Sequence, residues 1–156
     1  MPITTRRTLL TSAAAFGALS ALPLSAQATP TIHVAKGTGC ECCSGWVDHL
    51  RTAGFTVTVE ELYGTLLSIY KLDNGIPLEL TSCHTGKTSD YMIEGHVPAA
   101  DILRLLDERP DAIGLAVPGM PYGSPGMGDA ANRDAYEVLL IRRDGTTEVF
   151  TSYPAA

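Results

Sequence analysis

The chain has 156 residues, 45% hydrophobic and 18% charged, enough for a core that needs no covalent staples. Seventeen acidic residues outweigh eleven basic ones for a formal net charge of −6, which argues against nucleic acid or an anionic membrane as partner. Beyond the first 28 residues, no apolar run is long enough to span a bilayer.

Residues 1–28 read as a cleaved export signal, with paired arginines (Arg6, Arg7), an Ala/Leu stretch of small side chains and an A-x-A ending at Ala26 to Ala28. The arginine pair followed by Thr8, Leu9 and Leu10 resembles a twin-arginine signal, a route that carries folded proteins. Cleavage after Ala28 leaves a single domain, residues 29–156, with a periplasmic address. Both leader charges are basic, so the mature chain carries nine basic against seventeen acidic residues, a net −8.

Thr31 to Lys36, "TIHVAK", alternates and is β-branched, as a strand requires. The glycines of "GTG" then lead into "CSGWVDHLRTAGF", where Trp46, Val47 and Leu50 share one helical face and Gly54 supplies the stop. A second strand follows at Thr56 to Glu61, and a helix over Tyr63 to Gly75. "LELTSCHT" and "SDYMIEG" read as a hairpin turned across Gly86 and Lys87. "VPAADILRLLDERP" predicts a helix with Pro98 in its first turn and Pro110 past its end. After a long loop, Val117 to Asn132, a C-terminal hairpin turns at Asp144 and Gly145. The order β-α-β-α-β-β-α predicts an α/β, thioredoxin-like mixed sheet flanked by helices, with the C-terminal β-hairpin added.

Chemistry concentrates in "GTGCECCSGW", which holds Cys40, Cys42 and Cys43 at the start of the first helix. A helix N-terminus, with its unpaired N–H groups, favours thiolate. Adjacent cysteines close almost no loop, so a stapled scaffold does not explain them. Cys40 and Cys43 have the C-x-x-C spacing of a redox pair, with Cys40 as nucleophile and Cys43 resolving. Cys42 has no role in such a pair, and Cys83 in "SCHTG" would lie beside it once the hairpin strand joined the first strand. Such a redox fold usually also needs a cis-proline, for which only Ile76–Pro77 offers itself. Zinc accepts four cysteines but favours paired arms on separate turns. Crowded sulfurs suit bridging of a soft ion such as Cu(I), and the Gly/Pro loop adds thioethers at Met120 and Met127. That loop has little apolar content of its own, so a bound ion is expected to help order it.

"CECCSGWVDHLRTAGF", "SCHTG", "YMIEGHVPAADILRLLDERPDAIGLAVPGMPYGSPGM" and "YEVLLIRRDG" together resemble the CopG-type periplasmic copper-resistance family, over roughly Ile32 to Phe150. The resemblance implies a thioredoxin-like fold and copper bound through Cys40, Cys42, Cys43 and Cys83. His84 and His96, with Met120 and Met127, become auxiliary candidates, and His33 and His49 are expected to be structural or surface residues. The expected cargo is Cu(I), one ion or several, sequestered or passed to an efflux or oxidase partner. A thiol–disulfide oxidoreductase is the alternative.

Overall fold

The computed structural model describes residues 29–156, so the expected export signal lies outside it. One seven-stranded sheet runs in the order β2-β1-β3-β4-β5-β6-β7. Its elements are β1 (Thr31–Gly37), α1 (Glu41–Thr52), β2 (Thr56–Leu62), α2 (Leu66–Asp73), β3 (His84–Thr88), β4 (Tyr91–Glu94), α3 (Ala99–Glu108), β5 (Gly114–Ala116), β6 (Tyr136–Ile141) and β7 (Thr147–Tyr153). β1 and β2 are parallel, as are β4 and β5; the remaining neighbours are antiparallel. The mixed α/β class and the added C-terminal hairpin are therefore as expected. The order of elements up to α3, β-α-β-α-β-β-α, is also as expected.

Strand alternation divides the core into two layers. Ile32, Val34, Ile93 and Leu115 face α1 and α3, meeting Trp46, Val47, Leu50, Ile102 and Leu105. Met92, Ala116 and Ile141 face the other way and pack with Ile76, Leu80 and Tyr70 on the α2 side. The cysteine-bearing helix thus belongs to the first layer and Lys71 of α2 to the second.

Several boundaries differ from the sequence reading. α1 starts at Glu41 with Cys40 as its N-cap, so Cys42 and Cys43 lie in the first helical turn. Leu78–Leu80 forms a short 3-10 turn, and the strand begins only at His84. The hairpin turns at Ser89 and Asp90, where Ser89 has a positive φ of 49°, and not at Gly86–Lys87. Gly86 is a strand residue paired with Ile93 and Val34. It is glycine for packing: a Cβ there would lie 2.6 Å from Ile32 Cδ1 and 3.2 Å from the Trp46 ring. The short strand β5 had no counterpart in the sequence reading. No cis peptide bond occurs among the described residues, Ile76–Pro77 included.

The C-terminal hairpin is tied to α3 through Asp101, which is 4% exposed. Its carboxylate accepts from the hydroxyls of Thr151 at 2.5 Å and Tyr153 at 2.7 Å. Asp101→Ala is expected to cost about 2–4 kcal/mol of unfolding free energy, since two charge-assisted bonds are lost and two hydroxyls stranded. Tyr153→Phe, which removes one of the two bonds, should cost less than half as much. Urea unfolding of the three proteins checks both.

Candidate metal centre

The register of β3 on β1 brings the scattered site residues together. Lys36 lies opposite His84. Cys83, one residue earlier, therefore sits beside the turn that links β1 to α1. Cys42 Sγ is 3.8 Å from Cys83 Sγ and 3.5 Å from Cys40 Sγ. Cys43 Sγ lies 3.7 Å from the Cys83 carbonyl oxygen. Cys40 and Cys43 are joined as a disulfide, with Cα atoms 5.3 Å apart, while Cys42 and Cys83 are free.

The histidines approach Cys83 from its other side. His96 Nε2 is 3.2 Å and His84 Nδ1 3.3 Å from Cys83 Sγ. His96 Nδ1 lies 2.8 Å from the Pro125 carbonyl, which can only accept. That contact fixes the proton on Nδ1 and turns the Nε2 lone pair toward the sulfur. The two imidazoles meet edge to face, with centroids 4.8 Å apart. Trp46 covers His84 with centroids 4.3 Å apart and anchors its own ring N–H on the Val97 carbonyl at 2.8 Å.

Two ligand groups result, and they share one member. Ligand atoms of Cys40, Cys42, Cys43 and Cys83 all lie within 4.8 Å of one another, and so do those of Cys83, His84 and His96. His84 is fully buried, and its Nε2 has no hydrogen-bond partner. It is Nδ1, 3.3 Å from the Cys83 sulfur, that faces the cluster, so the nitrogen lone pair available to an ion there is that of Nδ1. Soft thiolates with neutral imidazoles are the donor set that copper prefers, so the residues present fit the ion.

Burial governs their protonation. The Cys83 thiol is pushed up to about 11, first by burial and then by the neighbouring Cys42. His84 is pushed down to about 3 by burial, with smaller contributions from His96 and Lys71. Burial lowers His96 as well. The imidazoles are therefore neutral donors in near-neutral solution, whereas Cys83 must release a proton to bind metal.

The methionine loop reaches the cluster through its backbone. Ser82 Oγ donates to the Gly119 carbonyl at 2.6 Å, which sets Met120 one residue from a neighbour of Cys83. At the other end, Gly126 lies against the first turn of α1. With φ of +85°, a Cβ there would stand 2.7 Å from the Cys42 carbonyl oxygen and 2.6 Å from Trp46 N. Met127 follows it directly. Met120 is 56% exposed and lines an open groove of about 510 Å³ with Pro118, Pro121 and Leu139. The loop is held by its own bonds: Gly123 N–H to Met127 O at 2.8 Å, Met127 N–H to Ser124 O at 2.8 Å and Ser124 N–H to Pro121 O at 3.2 Å.

The remaining histidines have other partners. His33 faces Thr58 and Glu60 near the edge of the sheet. His49 Nε2 accepts the backbone N–H of Ala99 at 3.0 Å, so this ring caps the start of α3. Sequence reasoning also missed Lys71 and Glu94, which are 3% and 0% exposed and ion-paired behind Cys83.

A mixed α/β protein with a cysteine–histidine cluster able to hold metal is the class that this fold and site define. A family model described as a protein of unknown function, DUF411, matches residues 80–127, which include Cys83, both cluster histidines and the methionine loop. Two solved structures of the copper resistance protein CopG are similar over most of the chain. Form 1 has 45% identity and a TM-score of 0.75, covering 80% of this chain and 98% of its own. Form 2 has 44% identity and a TM-score of 0.74, covering 81% and 99%. The chain belongs to the CopG family of copper resistance proteins. No curated protein matches it. Among the described residues, no helix is long and apolar enough to cross a membrane.

The low value at His84 sets an acid sensitivity for the metal-free protein. Its folded value of about 3 lies below the ordinary 6.5, so the unfolded chain takes up the proton first. Stability is then full above about pH 6.5 and falls as the pH drops toward about 3. At pH 4.5 the loss from this residue is roughly 2–3 kcal/mol. Urea unfolding at pH 7 and pH 4.5 should show that loss, and His84→Gln should reduce the difference between the two pH values.

Proposed function

We propose that this protein binds Cu(I) through Cys40, Cys42, Cys43 and Cys83 in the periplasm, as part of copper resistance. The observation that carries the reading is Cys83, whose sulfur belongs to both ligand groups. A thiolate in that place can bridge, so the cluster suits more than one ion. His84 and His96 would supply neutral nitrogen donors, and Met120 and Met127 thioethers at the rim. Bound copper supplies soft-acid binding and a one-electron couple. The chain's own residues turn the His96 Nε2 lone pair toward Cys83 and hold the four sulfurs within 4.8 Å of one another. The similar solved structures are of a copper resistance protein, which supports copper over zinc. Export through the leader and hand-over to an efflux or oxidase partner belong to the same proposal.

The Cys40–Cys43 disulfide favours a second reading, a thiol–disulfide oxidoreductase. Both readings share those sulfurs: four-thiolate binding needs the disulfide reduced by two electrons from an external thiol reductant, with two protons taken up and then released to solvent as the thiolates bind the metal. The experiment is copper content per chain after anaerobic reduction and Cu(I) loading. Serine at position 40, 42, 43 or 83 should each lower it, and the disulfide form should hold less than the reduced form. Brisk insulin-disulfide reduction by the metal-free protein, unchanged in Cys42→Ser and Cys83→Ser, would select the enzyme instead.

The thioethers can be tested apart from the thiolates. Met120→Leu with Met127→Leu nearly conserves volume and leaves the loop's backbone bonds in place. The thermal midpoint of the metal-free protein should hardly change. Removal of Cu(I) by a chelator should become faster, while the cysteines still bind. An unchanged removal rate would exclude both methionines from the site.

A further inference from the structure

Behind the cluster, on the opposite face of the sheet, lies a buried ion pair that the proposed chemistry does not use. Met92 packs in the α2 layer and Ile93 in the α1/α3 layer, so alternation along β4 points Glu94 to the α2 side. Lys71 meets it there from α2. Its ammonium donates to Glu94 Oε1, to the Ser82 carbonyl at 2.6 Å and to the His84 carbonyl at 3.5 Å. Glu94 Oε1 also accepts the Ser82 backbone N–H at 2.5 Å, and Oε2 accepts the Thr85 hydroxyl. Every ammonium proton has an acceptor, and both carboxylate oxygens are used.

The partners of this pair bracket Cys83. Three backbone groups on either side of it, the Ser82 N–H, the Ser82 carbonyl and the His84 carbonyl, are bound by the two side chains. Ser82 and Cys83 lie outside regular structure, between the 3-10 turn ending at Leu80 and the start of β3. No strand ladder holds them there. Stability alone does not explain the pair, because apolar residues of similar volume often replace a buried ion pair without loss.

We propose that Lys71 and Glu94 are positioning residues for Cys83 and His84. They grip the irregular Ser82–His84 backbone from behind the sheet, so that the Cys83 sulfur stays within reach of both ligand groups. The inference rests on the copper reading for its purpose, though not for its geometry.

The test is Lys71→Met with Glu94→Leu, which removes both charges together and leaves neither stranded. In the reduced, metal-free protein, iodoacetamide labelling of Cys83 relative to Cys42, read by peptide mass, should rise several-fold. A chelator should strip Cu(I) several-fold faster, with the thermal midpoint unchanged or higher. In a Cys83→Ser background the same pair of substitutions should accelerate stripping by a smaller factor, because the path through Cys83 is gone and only that through His84 remains. Unchanged labelling, or equal acceleration without Cys83, overturns the proposal. If the double variant does not fold, Thr85→Val, which removes only the hydroxyl on Oε2, should shift labelling in the same direction by less. No shift there overturns it too. Failure of the wild-type protein to retain Cu(I) would sink the copper reading, while the labelling ratio would still decide the positioning role.

Discussion

The antiparallel register that sets His84 opposite Lys36 decides the whole site. β1 ends at Gly37 and α1 begins at Glu41, so the end of β1 is where three of the cysteines must be. Only a strand that starts beside that end can bring a fourth sulfur to them, and β3 does. A slip of one residue would exchange the two faces of β3. His84 would then leave the Trp46 layer for the α2 side, and Thr85 would leave Glu94. The second strand pair repeats the constraint, because Thr85 opposite Glu94 puts Gly95 and His96 just past the strand end, level with Cys83.

That geometry concentrates polar atoms where burial is nearly complete. His84, His96 and Glu94 are each fully buried, yet their situations differ. Glu94 has both carboxylate oxygens bound by the chain itself. His96 has one nitrogen filled by Pro125 and the other turned to Cys83. His84 keeps one nitrogen with no partner at all. Glu94 and His96 are thus partnered within the chain, and His84 alone is not, at the ring nitrogen opposite the one that meets Cys83. Metal binding to the folded form alone would stabilise the fold by mass action.

Much of this was legible in the chain, for reasons that particular residues make plain. The β-branched alternation of "TIHVAK" and the Trp46, Val47 and Leu50 face gave β1 and α1 correctly, and their junction contained the cysteines. Asp144–Gly145 marked the last hairpin. Gly86 misled, because glycine signals a turn in sequence while here it makes room for Ile32 and Trp46. β5 is only three residues long, too short for an alternation to register. Lys71 carried no signal: one lysine in "LLSIYKLDNG" looks like a solvated charge on a helix. Its burial follows from Glu94, 23 residues on, which β4 points toward α2, and such pairs are visible only once the topology is known.

The four-sulfur arrangement itself weighs between the two chemistries. A redox pair works best when its two sulfurs can exchange with each other and with substrate alone. Here Cys42 stands 3.5 Å from Cys40 and 3.8 Å from Cys83, placing an extra thiol beside each member of any mixed disulfide. For an oxidoreductase that closeness invites scrambling, because the resolving attack has competitors. For a soft metal ion the same closeness is what makes bridging thiolates geometrically accessible. On the proposed copper reading, closing Cys40 to Cys43 would remove two of the four sulfur donors.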